Sequence, residues 1–144
     1  ECNNSRDMFE VMKWASLLHR ANRVDAGLQQ APDVVRMATR NGAAALGHET
    51  GQLVAGHKAD VILVETHSTM FTPLMPESVD HVFSHLVFAA NGSCVDTTIC
   101  NGQVLMEGRT LLTVDESEVI DKANAAFRDV VGRMVVPDLA EVSA

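Results

Sequence analysis

The residues best suited to chemistry in this chain are its six histidines and three cysteines. His81 and His85 stand four apart in a segment with helical periodicity, a spacing that can turn two imidazoles toward one metal ion. No third histidine or glutamate occupies a matching position, and two ligands rarely hold zinc, so the pair reads as surface or half-buried helix residues. His19, His48, His57 and His67 are scattered, and His57 lies in a glycine-rich turn where exposure is expected. Cys2 is a nucleophile by type, but no histidine base lies near it in sequence. The chain contains no HxH pair. None of these histidines is a persuasive ligand. Met8, Met12 and Met37 recur at helical spacing and read as core filler, and Trp14 as a packing residue.

Composition narrows the function classes. The chain has 144 residues, 47% of them hydrophobic and 21% charged, enough to bury the core of one ordinary domain. The formal charge is −8, and Lys13, Arg20, Arg23, Arg36, Arg40 and Lys58 never form a block. That pattern argues against nucleic acid, whose phosphates attract clustered cations. No run approaches the roughly 18 apolar residues of a membrane span, and the first residues lack the apolar stretch of a signal peptide. Cys2, Cys94 and Cys100 are odd in number and have no CxxC spacing, which points to free thiols in a reducing, cytoplasmic setting. The missing initiator Met suggests processing, or a piece of something longer.

Periodicity then supplies the elements that must position these groups. Met8, Val11, Met12, Ala15, Leu18 and Ala21 predict a helix over 7–22, with Asp7 able to cap it. Pro32 opens a second helix at its favoured first turn. Val34, Val35, Met37, Ala38, Ala44, Ala45 and Leu46 give that helix an apolar face, and Gly47 stops it. Ala59–Glu65 predicts a strand, apolar on both faces and so expected to be buried on both. Residues 66–77 read as a loop. Ser78 caps a short helix carrying Val79, Val82, Phe83, Leu86 and Val87. Asn101-Gly102 between two strand-like runs, 95–100 and 103–106, predicts a tight hairpin. A short strand at 110–112 follows. Thr113-Val114-Asp115-Glu116 reads as a capping box for a last helix to about Met134, ended by Pro137. Three or four strands make a poor closed sheet, and exposed edges invite pairing with strands from elsewhere.

Several of these segments, in order, resemble the C-terminal region of metal-dependent amidohydrolases of the aminohydrolase and chlorohydrolase type. Cys2-Asn3-Asn4 followed by Asp7-Met8-Phe9-Glu10 is similar to the family segment that follows its conserved Asp-Gly. Residues 37–47 resemble the family's A-T-x-x-G-A-x-A-L-G, and residues 51–62 its G-x-L-x-x-G-x-x-A-D-L-V. Residues 86–90 and 104–109 resemble later segments, so the likeness runs over about residues 2–127.

The resemblance implies a fold and a chemistry. The fold class is an α/β fragment: the last helices of a TIM-like (β/α)8 barrel in residues 1–48, and the C-terminal part of a composite β-sandwich in 49–113. A C-terminal helix and tail follow in 114–144. The family reaction is hydrolysis of non-peptide C–N bonds, a deamination or dechlorination of a purine- or triazine-like ring. One divalent metal, zinc or iron, would be held by an HxH pair, two more histidines and an Asp. That Asp would fall just before Glu1. By the same resemblance Asn3 and Asn4 lie in the loop beneath it, hydrogen-bonding the loop backbone or approaching substrate. The chain alone is expected to be inactive. Its expected partner is the missing N-terminal barrel segment or a second copy of itself, with no membrane partner. A free-standing interaction or oligomerisation module, exposing Met8, Val11, Leu18, Val34 and Met37, is the alternative. A proteolytic remnant is a third reading.

Overall fold

A computed structural model describes residues 5–134. The chain divides into two compact units, Glu1–Thr110 and Leu111–Ala144.

In the first unit α1 spans Met8–Arg23. Asp7 opens it as expected, accepting the Phe9 N–H at 2.9 Å on Oδ1. Val24, at φ 53°, ends it in the left-handed conformation. The face it buries only partly matches the predicted one, with Met12 in the core and Ala15 packed against it. Phe9, Met12 and Ser16 turn inward, while Met8, Val11 and Leu18 stay between 43% and 59% exposed. A serine sits at the centre of this interface because its hydroxyl donates to the Gln29 carbonyl at 2.7 Å, leaving no buried polar group unmet. Arg20 holds the same connection, donating through Nε to Leu28 O at 2.8 Å and lying over the Phe88 ring.

Pro32 stands in the first turn of α2 (Ala31–Arg36) as predicted. The helix then changes pitch. Met37–Asn41 form a π turn before regular geometry returns in α3 (Gly42–Ala45). Gly47, at φ +69°, closes the run, with Gly47 N–H donating to Ala44 O and His48 N–H to Ala43 O. Only Ala31, Val34 and Ala43 are buried along this stretch. Met37 and Leu46, expected on the apolar face, are 45% and 74% exposed. Val34, expected in an exposed patch, is instead 1% exposed, because it packs in the core with Phe9 and Met12.

The sheet has four strands in the order β1 (Val61–Val64), β2 (Val95–Cys100), β3 (Gln103–Glu107) and β4 (Thr110–Leu111). β1 and β2 are antiparallel with Leu63 opposite Thr97, and β2 and β3 with Ile99 opposite Val104. Asn101 (φ 49°) and Gly102 (φ 80°) both take positive φ at the hairpin, as that dipeptide predicts. The expectation that β1 is buried on both faces fails. Ile62 and Leu63, whose side chains point to opposite faces, are 48% and 52% exposed, and β1 is an edge strand with β2 as its only ladder partner among the described residues.

Ser78 caps α4 (Val79–Phe88), accepting from the His81 N–H. Val87 is fully buried, but Val79 lies outside the core. The predicted loop 66–77 contains a 3-10 turn, Thr69–Phe71, that sends Phe71 into the core at 1% exposure. Phe9, Met12, Val34, Phe71, Val87, Ala90 and Cys94 form that core.

The second unit contains α5, Glu116–Arg133. Its cap is Asp115, which accepts the Glu118 N–H at 3.0 Å, and not the expected Thr113. Thr113-x-x-Glu116 and Asp115-x-x-Glu118 overlap by two residues, and the chain uses the second. Lys122–Glu118 and Arg133–Asp129 pair along its surface. None of its residues is buried.

Candidate functional site

The principal concavity of the first unit is an apolar groove of about 1000 Å3. Its walls come from α1 (Met8, Val11), the 31–46 helical run (Val35, Met37) and the sheet (Ile62, Ile99). His48, Thr50 and Asp60 supply polar atoms to it.

Asp60 is the organised polar group of this region. Thr50 Oγ1 donates to its Oδ2 at 2.6 Å and the Asn101 N–H to its Oδ1 at 2.7 Å. The Thr50 bond, followed by the Asn101 bond, holds its carboxyl below 3.8. The Gly102 N–H adds a bond to Ala59 O, so one short segment fastens the hairpin turn to the 49–60 loop. That loop is itself pressed onto the π turn. A Cβ on Gly51 would stand 2.7 Å from Thr39 O, and Gly51 has φ +77°. Asp60 is thus a fastening residue rather than an acid or base.

The histidine pair is placed on α4 as expected, with ring centroids 4.7 Å apart and perpendicular planes. Its nitrogens serve the backbone of the 66–77 loop. His81 Nδ1 accepts the Met75 N–H at 3.1 Å. The His85 ring lies 2.9 Å from Met70 O through Nδ1 and 3.0 Å from Pro73 O through Nε2. The pair therefore pins a loop. His19 lines a separate hollow with Arg23 and Asp25, and His48 borders the groove. His57, expected exposed, is half-buried, and its Nδ1 meets no partner among the described residues.

Cys94 is buried, donates through Sγ to Asn91 O, and is pushed above 9.0 by burial, which keeps the thiol protonated. Cys100 is exposed, and both are free thiols. Cys2, Asn3 and Asn4 lie outside the described residues. Among the described residues no group of three or more His, Cys, Asp or Glu side chains converges to hold a metal. Nor is any helix long and apolar enough to cross a membrane.

One long-range contact was not legible in the sequence. Asp7, besides capping α1, accepts the Gly92 N–H at 2.7 Å on Oδ2, across 85 residues. The turn it reaches, residues 91–94, is held by Asn91 Oδ1, which accepts the Ser93 N–H. Cys94 O in turn accepts the Glu65 N–H beside the end of β1.

The amidohydrolase family model matches residues 1–105, and the chain belongs to the amidohydrolase family. It is 45% identical over 132 residues to the 5'-deoxyadenosine deaminase of Methanosarcina barkeri, which covers 92% of this chain and 29% of that protein. It is 44% identical over 135 residues to the 5'-deoxyadenosine deaminase of Methanoregula boonei, again spanning 29% of that relative. A zinc-bound adenosine deaminase from Xanthomonas campestris superposes with a TM-score of 0.80 at 29% identity, over 88% of this chain and 28% of that one. An atrazine chlorohydrolase from Arthrobacter aurescens, solved with zinc, shares the fold at a TM-score of 0.70 and 22% identity, over 81% and 25% of the two chains. The chain thus spans less than a third of the length of these relatives. The zinc of those structures has no matching set of ligands among the described residues.

Proposed function

We propose that this chain is the C-terminal part of a hydrolase that removes the amino group from a purine ring, an adenine nucleoside being the favoured substrate. The observation that carries the reading is the 45% identity, over 92% of the chain, to 29% of a 5'-deoxyadenosine deaminase. In this reading residues 1–48 complete a barrel, residues 49–113 are the C-terminal half of a composite sandwich, and 114–144 are an appended helix and tail. The metal is held by residues outside this chain, and no step of the reaction is assigned to residues within it. By the same reading Asn3 and Asn4 support the loop of the metal's Asp or approach substrate.

The unfilled surfaces support this assignment. The groove is walled by Met8, Val11, Met37 and Ile62, and the β1 edge leaves Ile62 and Leu63 half exposed. Contiguous apolar area of this kind marks a surface made to be covered. The remainder of the same polypeptide is its occupant.

The test is ammonia release from 5'-deoxyadenosine and adenosine, comparing residues 1–144 with the same sequence joined to an N-terminal barrel from a relative. Release is expected only from the joined protein. A folded, metal-loaded joined protein that releases no ammonia from either nucleoside would overturn the proposal. A non-catalytic, self-associating module draws instead on the exposed Met8, Val11, Leu18 and Met37, without the buried Val34. It predicts a dimer of residues 1–144 in dilute solution, and a monomer counts against it.

A further inference from the structure

We propose that the His81–His85 pair carries one positive charge, on His85, and that this charge latches the 70–75 segment onto α4 over a limited pH range.

Donor and acceptor chemistry fixes where the charge sits. A neutral imidazole has one N–H and one lone pair, whereas an imidazolium has two N–H groups. The half-buried His85 ring has a carbonyl on each side, Met70 O at 2.9 Å from Nδ1 and Pro73 O at 3.0 Å from Nε2. A carbonyl oxygen only accepts, so either neutral tautomer sets one lone pair against another. The imidazolium meets both oxygens with charge-assisted bonds. The Phe71 ring, stacked 5.8 Å away, adds an aromatic face beside the cation. His81 is fixed the opposite way. Its Nδ1 accepts the Met75 N–H at 3.1 Å, which needs a lone pair there and puts the proton of a neutral ring on Nε2. The ring centroids are 4.7 Å apart, so a second charge on His81 would also meet a like charge.

Charged neighbours do not override this arrangement. α1 and α2 pack against α4. Arg20 of α1 is engaged by Leu28 O and lies over Phe88, and Asp33 and Arg36 of α2 pair with each other. The other charged side chains of α1, Glu10, Lys13, His19 and Arg23, are exposed. Asp80 on α4 and Glu77 before it are exposed too, and Glu65 accepts the His67 N–H. Among the described residues no carboxylate forms an ion pair with either imidazole.

Met70 O, Pro73 O and the Met75 N–H all turn to these two rings. As pH rises, His85 loses a proton and one of its two carbonyls loses its donor. As pH falls, His81 gains a proton and the Met75 N–H loses its acceptor. The contribution of His85 is thus present in acid and lost toward alkali, and that of His81 runs the other way. The segment is held best between the two steps, within the range where histidine changes charge.

The experiment follows the full chain from about pH 5 to 8, recording histidine side-chain 15N shifts and the protection of the Met75 amide relative to its intrinsic exchange rate. Both His85 nitrogens are expected to be protonated at a pH where His81 is still the neutral Nε2–H form. Met75 protection should pass through a maximum and fall at least about fivefold on each side. His81→Asn, which keeps an uncharged acceptor in place of Nδ1, should lose the acid fall and keep the alkaline one. His85→Phe should lower protection throughout and lose the alkaline fall. A His85 ring that stays neutral until His81 is protonated would overturn the proposal, and so would Met75 protection that is constant over the range. Both measurements are made on the wild-type chain, with the rings assigned through bonds, and so stand even where a variant folds poorly.

Discussion

Two helices in this molecule begin the same way and end in different circumstances. Both α1 and α5 start at an aspartate with nearly identical backbone angles, and both carry apolar residues at helical spacing along 16 to 18 residues. Yet α1 buries Phe9, Met12 and Ser16, whereas α5 buries nothing. Caps and periodicity decide where a helix forms. Whether its stripe is covered depends on what else is present to cover it. Even α1 is only half satisfied, since Met8, Val11 and Leu18 form a second apolar face that stays exposed.

The contrast can be broken experimentally, and the largest effect belongs to the core. Phe71→Ala removes a ring that is 1% exposed and should cost about 3–5 kcal/mol. Phe127→Ala on α5, where the ring is 68% exposed, should change stability by no more than about 0.5 kcal/mol. Trp14 is the sole tryptophan and lies on α1, so its fluorescence during denaturation follows the first unit alone. The glycines sharpen the same comparison. Gly51→Ala forces a Cβ to within 2.7 Å of Thr39 O at a positive φ and should destabilise the first unit by about 2 kcal/mol or more. Gly132→Ala meets nothing within 4 Å inside α5 and should raise helicity, by up to about 1 kcal/mol, seen in circular dichroism. Asp115→Ala should lower the helical signal of α5 by the loss of one cap, about 1 kcal/mol.

The smallest effect is acid-linked. Because the folded-state carboxyl of Asp60 lies below 3.8, its contribution is present above that value and is lost as pH falls through the lower folded-state value. The protection of the Asn101 amide, relative to its intrinsic exchange rate, should therefore fall in acid below pH 3.8, and Asp60→Asn should abolish that pH dependence.

Local chemistry made much of this fold legible. The Asp7 and Ser78 caps, Pro32 in the first turn of α2, the Gly47 stop and the Asn101-Gly102 hairpin each depend on a few neighbouring residues, and each is where the sequence puts it. What escaped involves distance. Nothing near Ser16 announces Gln29, nothing near Asp7 announces Gly92, and nothing near Gly51 announces the Thr39 carbonyl. The apolar pattern of β1 was misleading in an instructive way. It reads as a strand covered on both faces, and the described residues leave its side chains half exposed. The candidate site was less legible than the fold for the same reason: Asn3 and Asn4 fall outside the described residues, and the groove's lining was predicted as core or exposed patch rather than as one wall.

The π turn at Met37–Asn41 also bears on how this helical run tolerates changes in length. Val34 and Ala43 are nine residues apart and both buried. At about 100° per residue, a regular α-helix would set them on roughly opposite sides. The wider turn absorbs the surplus residue, so both face inward. Deleting one residue between 37 and 41 would restore regular pitch and leave the two within about 80° of each other. The same deletion in the middle of α1 would rotate Phe9 away from Ser16. Among these helices a deletion is therefore cheapest at the place where the run already carries a residue too many.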